Sequence, residues 1–273
     1  MPADAKSVLL HGVDFTSAPR KQKGITIASG HLAGDTFTLD SLTTLHDFAA
    51  FTDWLKQPGP WLGGFDFPFS FPRELIHLLG WPITWAALVR HISALERSDL
   101  RDAFKAVCDA RPVGSKFIHR ACDLPAGSSS PMKWVNPPVA YMLHAGTPLL
   151  LDANVSIPCM HEGDPSRVAL EAYPGLVARG ITRASYKNDA PAMQTPERRE
   201  ARLQIVKAIE SGDYPQGIKL RAGKFRRQLL DDGSGDLLDA VLCALMAAWA
   251  WHRRKSNYGL PPHDALEGWI VGA

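Results

Sequence analysis

The sequence predicts an α/β fold with five strands. Three observations predict it. Short apolar runs of strand length are separated by stretches with helical spacing. Two of those runs, HGVDF at 11–15 and GGFDF at 63–67, end alike, with a glycine two residues before an aspartate. The chain has 273 residues, 45% of them hydrophobic and 21% charged. It can therefore fill a core without disulfide or metal staples, and it is not a largely disordered chain.

Residues 7–14 (SVLLHGVD) read as a buried first strand. Residues 24–29 (GITIAS) and 35–39 (DTFTL) are rich in β-formers, with glycine turns between them, and read as two antiparallel strands. Leu45, Phe48, Ala49, Trp54 and Leu55 give 45–56 a helical period, which Pro58-Gly59-Pro60 stops. Residues 61–66 (WLGGFD) form the fourth strand, so the opening reads β-β-β-α-β. The stretch 72–111 is mostly helical with a break at Trp81-Pro82, 112–138 is a polar loop, and 139–144 is helical. Residues 167–173 (RVALEAY) form the fifth strand, ended by Pro174. A charged amphipathic helix spans 196–211, and a nearly all-apolar one spans 236–253. No repeat of solenoid period is present. The reading is one domain over 1–273, with a mostly helical and loop insertion at about 72–166; 22 glycines and 21 prolines point to long loops.

Lys plus Arg number 30 and Asp plus Glu 28, so net charge argues neither for nor against a nucleic-acid partner, and any basic surface must be local. Cys108, Cys122, Cys159 and Cys243 form no CxxC pair and have no zinc-ligand spacing. They read as reduced thiols of a cytoplasmic protein. Residues 1–6 lack a signal-type apolar stretch. The longest apolar run, 240–251, is too short to span a bilayer, so no membrane partner is expected.

The chemistry rests on carboxylates. If the first and fourth strands are neighbours, Asp14 and Asp66 lie side by side at the strand ends, where ligands of α/β sheets bind. Two such groups repel unless a cation neutralises them. The plainer alternative is that each caps a turn. Asp236 and Asp239, three apart, point the same way from the first turn of the late helix. There Asp236 also fits an N-cap, and Asp239 a partner of the helix dipole. Glu171 within an apolar strand is either paired, as a further ligand or as a carboxylate that orients a water or a basic group, or turned out at a sheet edge. Acids at two strand ends and on a late helix suit two-metal phosphoryl chemistry, in which ions about 3.5–4 Å apart clamp the attacking and leaving oxygens.

The phrases GVDF (12–15), GFDFPF (64–69), EAYP (171–174), SYKND (185–189), DLLDAVLCAL (236–245) and EGWI (267–270) run through almost the whole chain. In this ordered set the chain resembles a bacterial and archaeal family of predicted RNase H-like nucleases. Its Asp236-x-x-Asp239 is similar to the late helix of Holliday-junction resolvases of that superfamily, which includes the retroviral integrase type. The resemblance implies a three-layer α/β/α RNase H-like fold with a five-stranded mixed sheet and a helical insertion between strands four and five. It implies a Mg²⁺- or Mn²⁺-dependent nuclease. Asp14 and Asp66 would be strand-end ligands, although related resolvases often carry Glu at the second position. Asp236 and Asp239 would be late-helix ligands, with Asp239 the principal one. Glu171 joins Asp14, Asp66 and Asp239 as a catalytic candidate, without a settled counterpart in RNase H itself.

Phosphate contacts need basic groups near the acids. Lys187, Lys133 and Arg20 are the candidates; Lys21 and Lys23 lie beside Arg20. The clusters Arg198, Arg199, Arg202 and Arg221, Lys224, Arg226, Arg227 serve equally as solvated faces. Trp81, Trp85 and Trp134 suit base stacking or plain packing, and His11 suits a hydrogen-bonded core position. No GxSxG elbow is present. Two other readings stand beside the nuclease. One is a non-catalytic nucleic-acid-binding or scaffold protein. The other is an actin- or sugar-kinase-like phosphotransferase, which would need Asp14-Phe15-Thr16-Ser17 and 232–236 as phosphate loops.

Overall fold

The structure, a computed structural model, describes residues 8–273; residues 1–6 and Ser7, read above as leader-free and as the start of the first strand, lie outside the described residues. The strands are β1 (Leu9–Asp14), β2 (Ile25–Ala33), β3 (Thr36–Leu45), β4 (Trp61–Asp66), β5 (Val155–Ser156), β6 (Asp164–Glu171) and β7 (Lys219–Arg221). They form one seven-stranded sheet in the order β5-β6-β4-β1-β2-β3-β7. The β1–β2 and β2–β3 pairs are antiparallel. The β1–β4, β4–β6, β5–β6 and β3–β7 pairs are parallel.

The expected five strands are thus corrected to seven. The two additions, β5 and β7, are edge strands of two and three residues, too short to carry a period-two pattern. The fifth expected strand, 167–173, is β6 and begins earlier, at Asp164; it stops at Glu171 because Tyr173 already caps the helix opened by Pro174. The second and third strands run on past 29 and 39 as one long hairpin.

Helix α1 (Phe48–Leu55) starts later than the period suggests, because Leu45 closes β3 and the Asp47 carboxylate caps the helix through Ala50 N–H. The block at 72–166 contains α2 (Arg73–Leu78), α3 (Trp85–Ser93), α4 (Arg97–Asp109), the single turn α5 (Asp123–Ala126) and α6 (Val139–Asp152), and it also delivers β5. Helix α6 outruns the expected 139–144 and carries Pro148 inside it. After β6 come α7 (Pro174–Ile181), α8 (Pro196–Ser211), α9 (Arg226–Asp231) and α10 (Asp236–His252).

Period-two alternation gives the sheet two apolar faces. Leu10, Leu62 and Leu170 face a core shared with α7, α8 and α10. Val13, Phe65 and Ala169 face a second core with α1, α3 and α6. Helices therefore cover both faces. Helices α2 to α4, with Leu143 of α6 and Leu266, enclose a third apolar cluster around Phe71 and Phe104. All four cysteines are free. Among the described residues no helix is long and apolar enough to cross a membrane.

Candidate metal centre

The parallel pairing of β1 with β4 sets Leu10 beside Leu62, Gly12 beside Gly64 and Asp14 beside Asp66. Residues two apart share a face, so both aspartates point to the side on which α10 lies. The glycines explain how close that helix comes. A Cβ on Gly12 would sit 2.0 Å from the Ala240 carbonyl oxygen and 2.1 Å from the Ala244 nitrogen. A Cβ on Gly64 would sit 2.5 Å from the Cys243 carbonyl oxygen. Only bare backbone lets α10 lie directly on β1 and β4. Its first turn then hangs over the strand ends and brings Asp239 down onto the aspartate pair.

The three carboxylates of Asp14, Asp66 and Asp239 each offer an oxygen, all within 4.8 Å of one another. Asp239 is fully buried and Asp14 is 8% exposed. The Tyr186 hydroxyl donates to Asp239 Oδ1 at 2.6 Å, and the Lys187 ammonium pairs with Asp239 Oδ2. Among the described residues no comparable donor reaches Asp14 or Asp66, whose carboxylates face the cleft. Burial, followed by the charges of Asp239 and Asp236, holds the Asp14 carboxyl well above the usual carboxylate range. Burial, with Asp239 next, pushes Asp66 up to about 7, against the pull of Lys187. Burial disfavours the Lys187 ammonium, but Asp239, Tyr186 and the other acids more than offset that and hold it charged.

Asp236 stands apart from this group. Its carboxylate takes the Lys23 ammonium at 2.8 Å, and the same ammonium reaches Asp189 at 2.8 Å. Nor does Asp236 cap the helix. Gly235 holds that position in the left-handed region, at φ 79°, and the Asp232 carboxylate accepts the N–H groups of Ser234 and Leu237. With Asp232 filling it, the segment 232–236 offers no free cradle for a phosphate.

Glu171 is placed on the other face of the sheet, because it follows Ala169 in the alternation of β6. There it is buried against Arg120: Nη1 donates to Oε2 at 2.7 Å and Nη2 to Oε1 at 2.5 Å. Oε2 also accepts the Phe69 N–H at 2.9 Å. Asp123 completes the site, taking Arg120 Nη2 at 2.9 Å. Glu171 is therefore paired with a basic group, one of the alternatives read from the sequence, and does not join the aspartates as a ligand.

Asp14, Asp66 and Glu171, the last residues of β1, β4 and β6, all line a cleft of about 1090 Å³ beyond the strand ends. Of the phosphate candidates, Lys187 and Arg20 line it as well; Lys133 is not among its lining residues. Arg202 is buried and donates to the carbonyls of Leu230 and Tyr186, so it holds the Tyr186-Lys187 segment in place. Arg199 pairs with Asp231 and Arg226 with Glu210 at the surface. Trp85 is a core residue whose Nε1 donates to the Phe69 carbonyl, Trp81 packs on Phe71 and Phe104, and Trp134 packs near Phe117. His11 bonds Ser29 Oγ at 2.8 Å, and burial lowers its pKa to about 4.

Sequence reasoning missed Arg120 and Tyr186 as members of this architecture, and it read Arg202 only as part of a basic cluster or solvated face, whereas Arg202 is buried. Tyr186 lies inside the phrase SYKND, and Arg120 has Asp123 three residues on; those were the available signals.

The donor set fits a hard divalent cation. It is all oxygen, it converges from three separate elements, and its formal charge of −3 is only partly met by Lys187, leaving about two charges for an ion to neutralise. No protein-family model, no curated protein and no solved structure matches the chain.

Proposed function

We propose that this chain is a divalent-metal-dependent phosphodiesterase acting on nucleic acid. The observation that carries the reading is the convergence of the buried Asp239 on Asp14 and Asp66, which line a cleft that also presents basic side chains. The central strand order β3-β2-β1-β4-β6, with helices on both faces, supports the RNase H-like resemblance. Asp14, Asp66 and Asp239 would hold Mg²⁺ or Mn²⁺. Such an ion supplies Lewis-acid stabilisation of phosphoryl charge and lowers the pKa of water.

The chain's own residues do the positioning. Tyr186 and Lys187 fix both oxygens of Asp239, so its carboxylate does not rotate. The Lys23 bridge ties the turn after β1 to the start of α10 and to Asp189. The Arg120–Glu171 pair anchors the end of β6 beside Phe65, the neighbour of Asp66. The test is Mn²⁺-dependent cleavage of single strands, duplexes, RNA–DNA hybrids and four-way junctions by the wild type and by Asp14→Asn. The reading expects cleavage by the wild type that is lost in the variant. Equal cleavage by both, or none by either, overturns it.

One contact favours a second reading. The Lys187 ammonium already neutralises Asp239, as a permanent counter-ion would in a non-catalytic binding or scaffold protein. That reading expects no stabilisation of the fold by divalent ions. The phosphotransferase reading gains nothing, because Asp232 fills the helix start that it needs.

A further inference from the structure

The cleft is lined by six cations, Arg20, Lys23, Arg120, Arg179, Arg183 and Lys187, and they divide into two kinds. Lys23, Arg120 and Lys187 are committed to carboxylates: Asp189 and Asp236, Asp123 and Glu171, and Asp239. The other three are not. Arg179 lies over the Tyr173 ring at 5.0 Å and donates to two neutral acceptors, the Tyr173 hydroxyl and the Ala126 carbonyl. Its remaining N–H donors have no carboxylate partner among the described residues. Arg20 and the exposed Arg183 likewise have no side-chain ion pair there.

The sheet order places these groups on opposite flanks of the aspartates. Arg20 lies on the connection from β1 to β2, on one side of the β1–β4 seam. Arg179 belongs to α7 and Arg183 follows it, after β6 on the other side. A polyanion crossing the acidic centre needs counter-charge on both sides of the phosphate that sits there, because the carboxylates repel its neighbours. Arg20 on one flank and Arg179 and Arg183 on the other line the same cleft as Asp14 and Asp66. The cleft's volume of about 1090 Å³ is at the top of the small-ligand range, room for a short stretch of one strand rather than for a duplex.

We infer that the cleft takes single-stranded nucleic acid running across the ends of β6, β4, β1 and β2. Arg179 and Arg183 hold the phosphates on the β6 side, and Arg20 holds one on the β2 side. This rests on the phosphodiesterase reading and specifies its substrate. Arg179 is pre-positioned by Tyr173 and Ala126, so it binds without ordering a free side chain, whereas Arg20 and Arg183 contribute mainly charge.

The test is fluorescence anisotropy of a labelled single-stranded oligonucleotide and of its duplex over a salt series. Ca²⁺ is the divalent ion, and strand integrity is checked on a gel. Arg20→Ala, Arg179→Ala and Arg183→Ala are compared with the wild type, alongside the Mn²⁺ cleavage panel. The expected result is single-strand binding at least about tenfold tighter than duplex binding. Each variant loses roughly five- to tenfold in affinity, and its log–log salt slope falls in magnitude by about 0.7, the increment of one phosphate contact on a single strand. Arg179→Ala also removes a bond to Ala126, so its melting temperature is followed; Arg183 makes no such contact, and its loss reads binding alone. If the wild type binds and cleaves while all three slopes stay unchanged, or if duplex binds as tightly, the proposed path is overturned and the phosphodiesterase reading survives. If the wild type neither binds nor cleaves any nucleic acid, both fall.

Discussion

Asp66→Asn should stabilise the metal-free protein, which is an unusual outcome for a substitution at a buried strand end. The Asp66 carboxyl is pushed up to about 7 by burial and then by Asp239, from an ordinary value of 3.8. Between those values the folded chain keeps a proton that the unfolded chain has lost. Stability from this group therefore falls as pH rises from about 4 to about 7, and the penalty is complete above 7. A shift of about three units corresponds to at most about 4 kcal/mol. Water reaching the carboxylate from the cleft, together with movement of Lys187, should reduce this to roughly 2 kcal/mol. For a chain of this size that is a rise of about 4–8 °C in melting temperature. The assay is thermal melting in chelator at pH 8 and pH 5: the variant should melt higher at pH 8, and the gap should shrink at pH 5. Adding Mn²⁺ should then stabilise the wild type by about 2.7 kcal/mol at a hundredfold excess over its dissociation constant, and leave the variant nearly unmoved. An Asp66→Asn protein that melts below wild type at pH 8 in chelator, and gains as much from Mn²⁺, would show that the carboxylates neither repel one another nor share an ion.

Other substitutions test other parts of the architecture. Gly12→Ala forces a methyl into the backbone of α10, 2.0 Å from the Ala240 oxygen, and should cost about 3 kcal/mol or more in urea unfolding while also weakening any response to Mn²⁺. Arg120→Leu leaves Glu171 and Asp123 buried without their cation; a loss of about 3–5 kcal/mol is expected, with part of it recovered in the Arg120→Leu/Glu171→Leu double variant. Lys187→Gln removes the counter-charge of Asp239, so the metal-free protein should lose stability and the melting gain on adding Mn²⁺ should exceed that of the wild type. His11, with a pKa lowered to about 4, should show no imidazole titration by NMR between pH 5 and pH 8.

How much of this could be read beforehand depends on whether the signal was local. The strand ends Asp14 and Asp66 announced themselves because a buried parallel strand has a fixed length and a period of two, so Gly12-x-Asp14 and Gly64-x-Asp66 repeat one geometry. Helix α10 was equally legible, since only a buried helix is apolar all round. Its glycine-floored seat was not, because the fit of Ala240, Cys243 and Ala244 onto Gly12 and Gly64 joins residues far apart in sequence. The spacing of Asp236 and Asp239 gave a shared helix face, but Lys23 decides which of them joins the cluster, and that pairing spans more than two hundred residues. Glu171 was flagged by its place in an apolar strand and by the phrase EAYP. The alternation that puts Ala169 and Glu171 on the face away from α10 separates it from the aspartates, and its arginine comes from a loop with no local pattern. The edge strands β5 and β7 are too short to have a pattern.

Direct Mn²⁺ binding, followed by electron paramagnetic resonance on the wild type, Asp14→Asn and Asp239→Asn, asks whether the three carboxylates hold an ion at all. Saturable binding to the wild type at pH 8 is expected. Each variant should bind at least about a hundredfold more weakly, and binding should weaken as pH falls through about 7, where Asp66 takes up its proton. No saturable binding to the wild type, or binding unchanged in both variants, would contradict the assignment of Asp14, Asp66 and Asp239 as a metal centre.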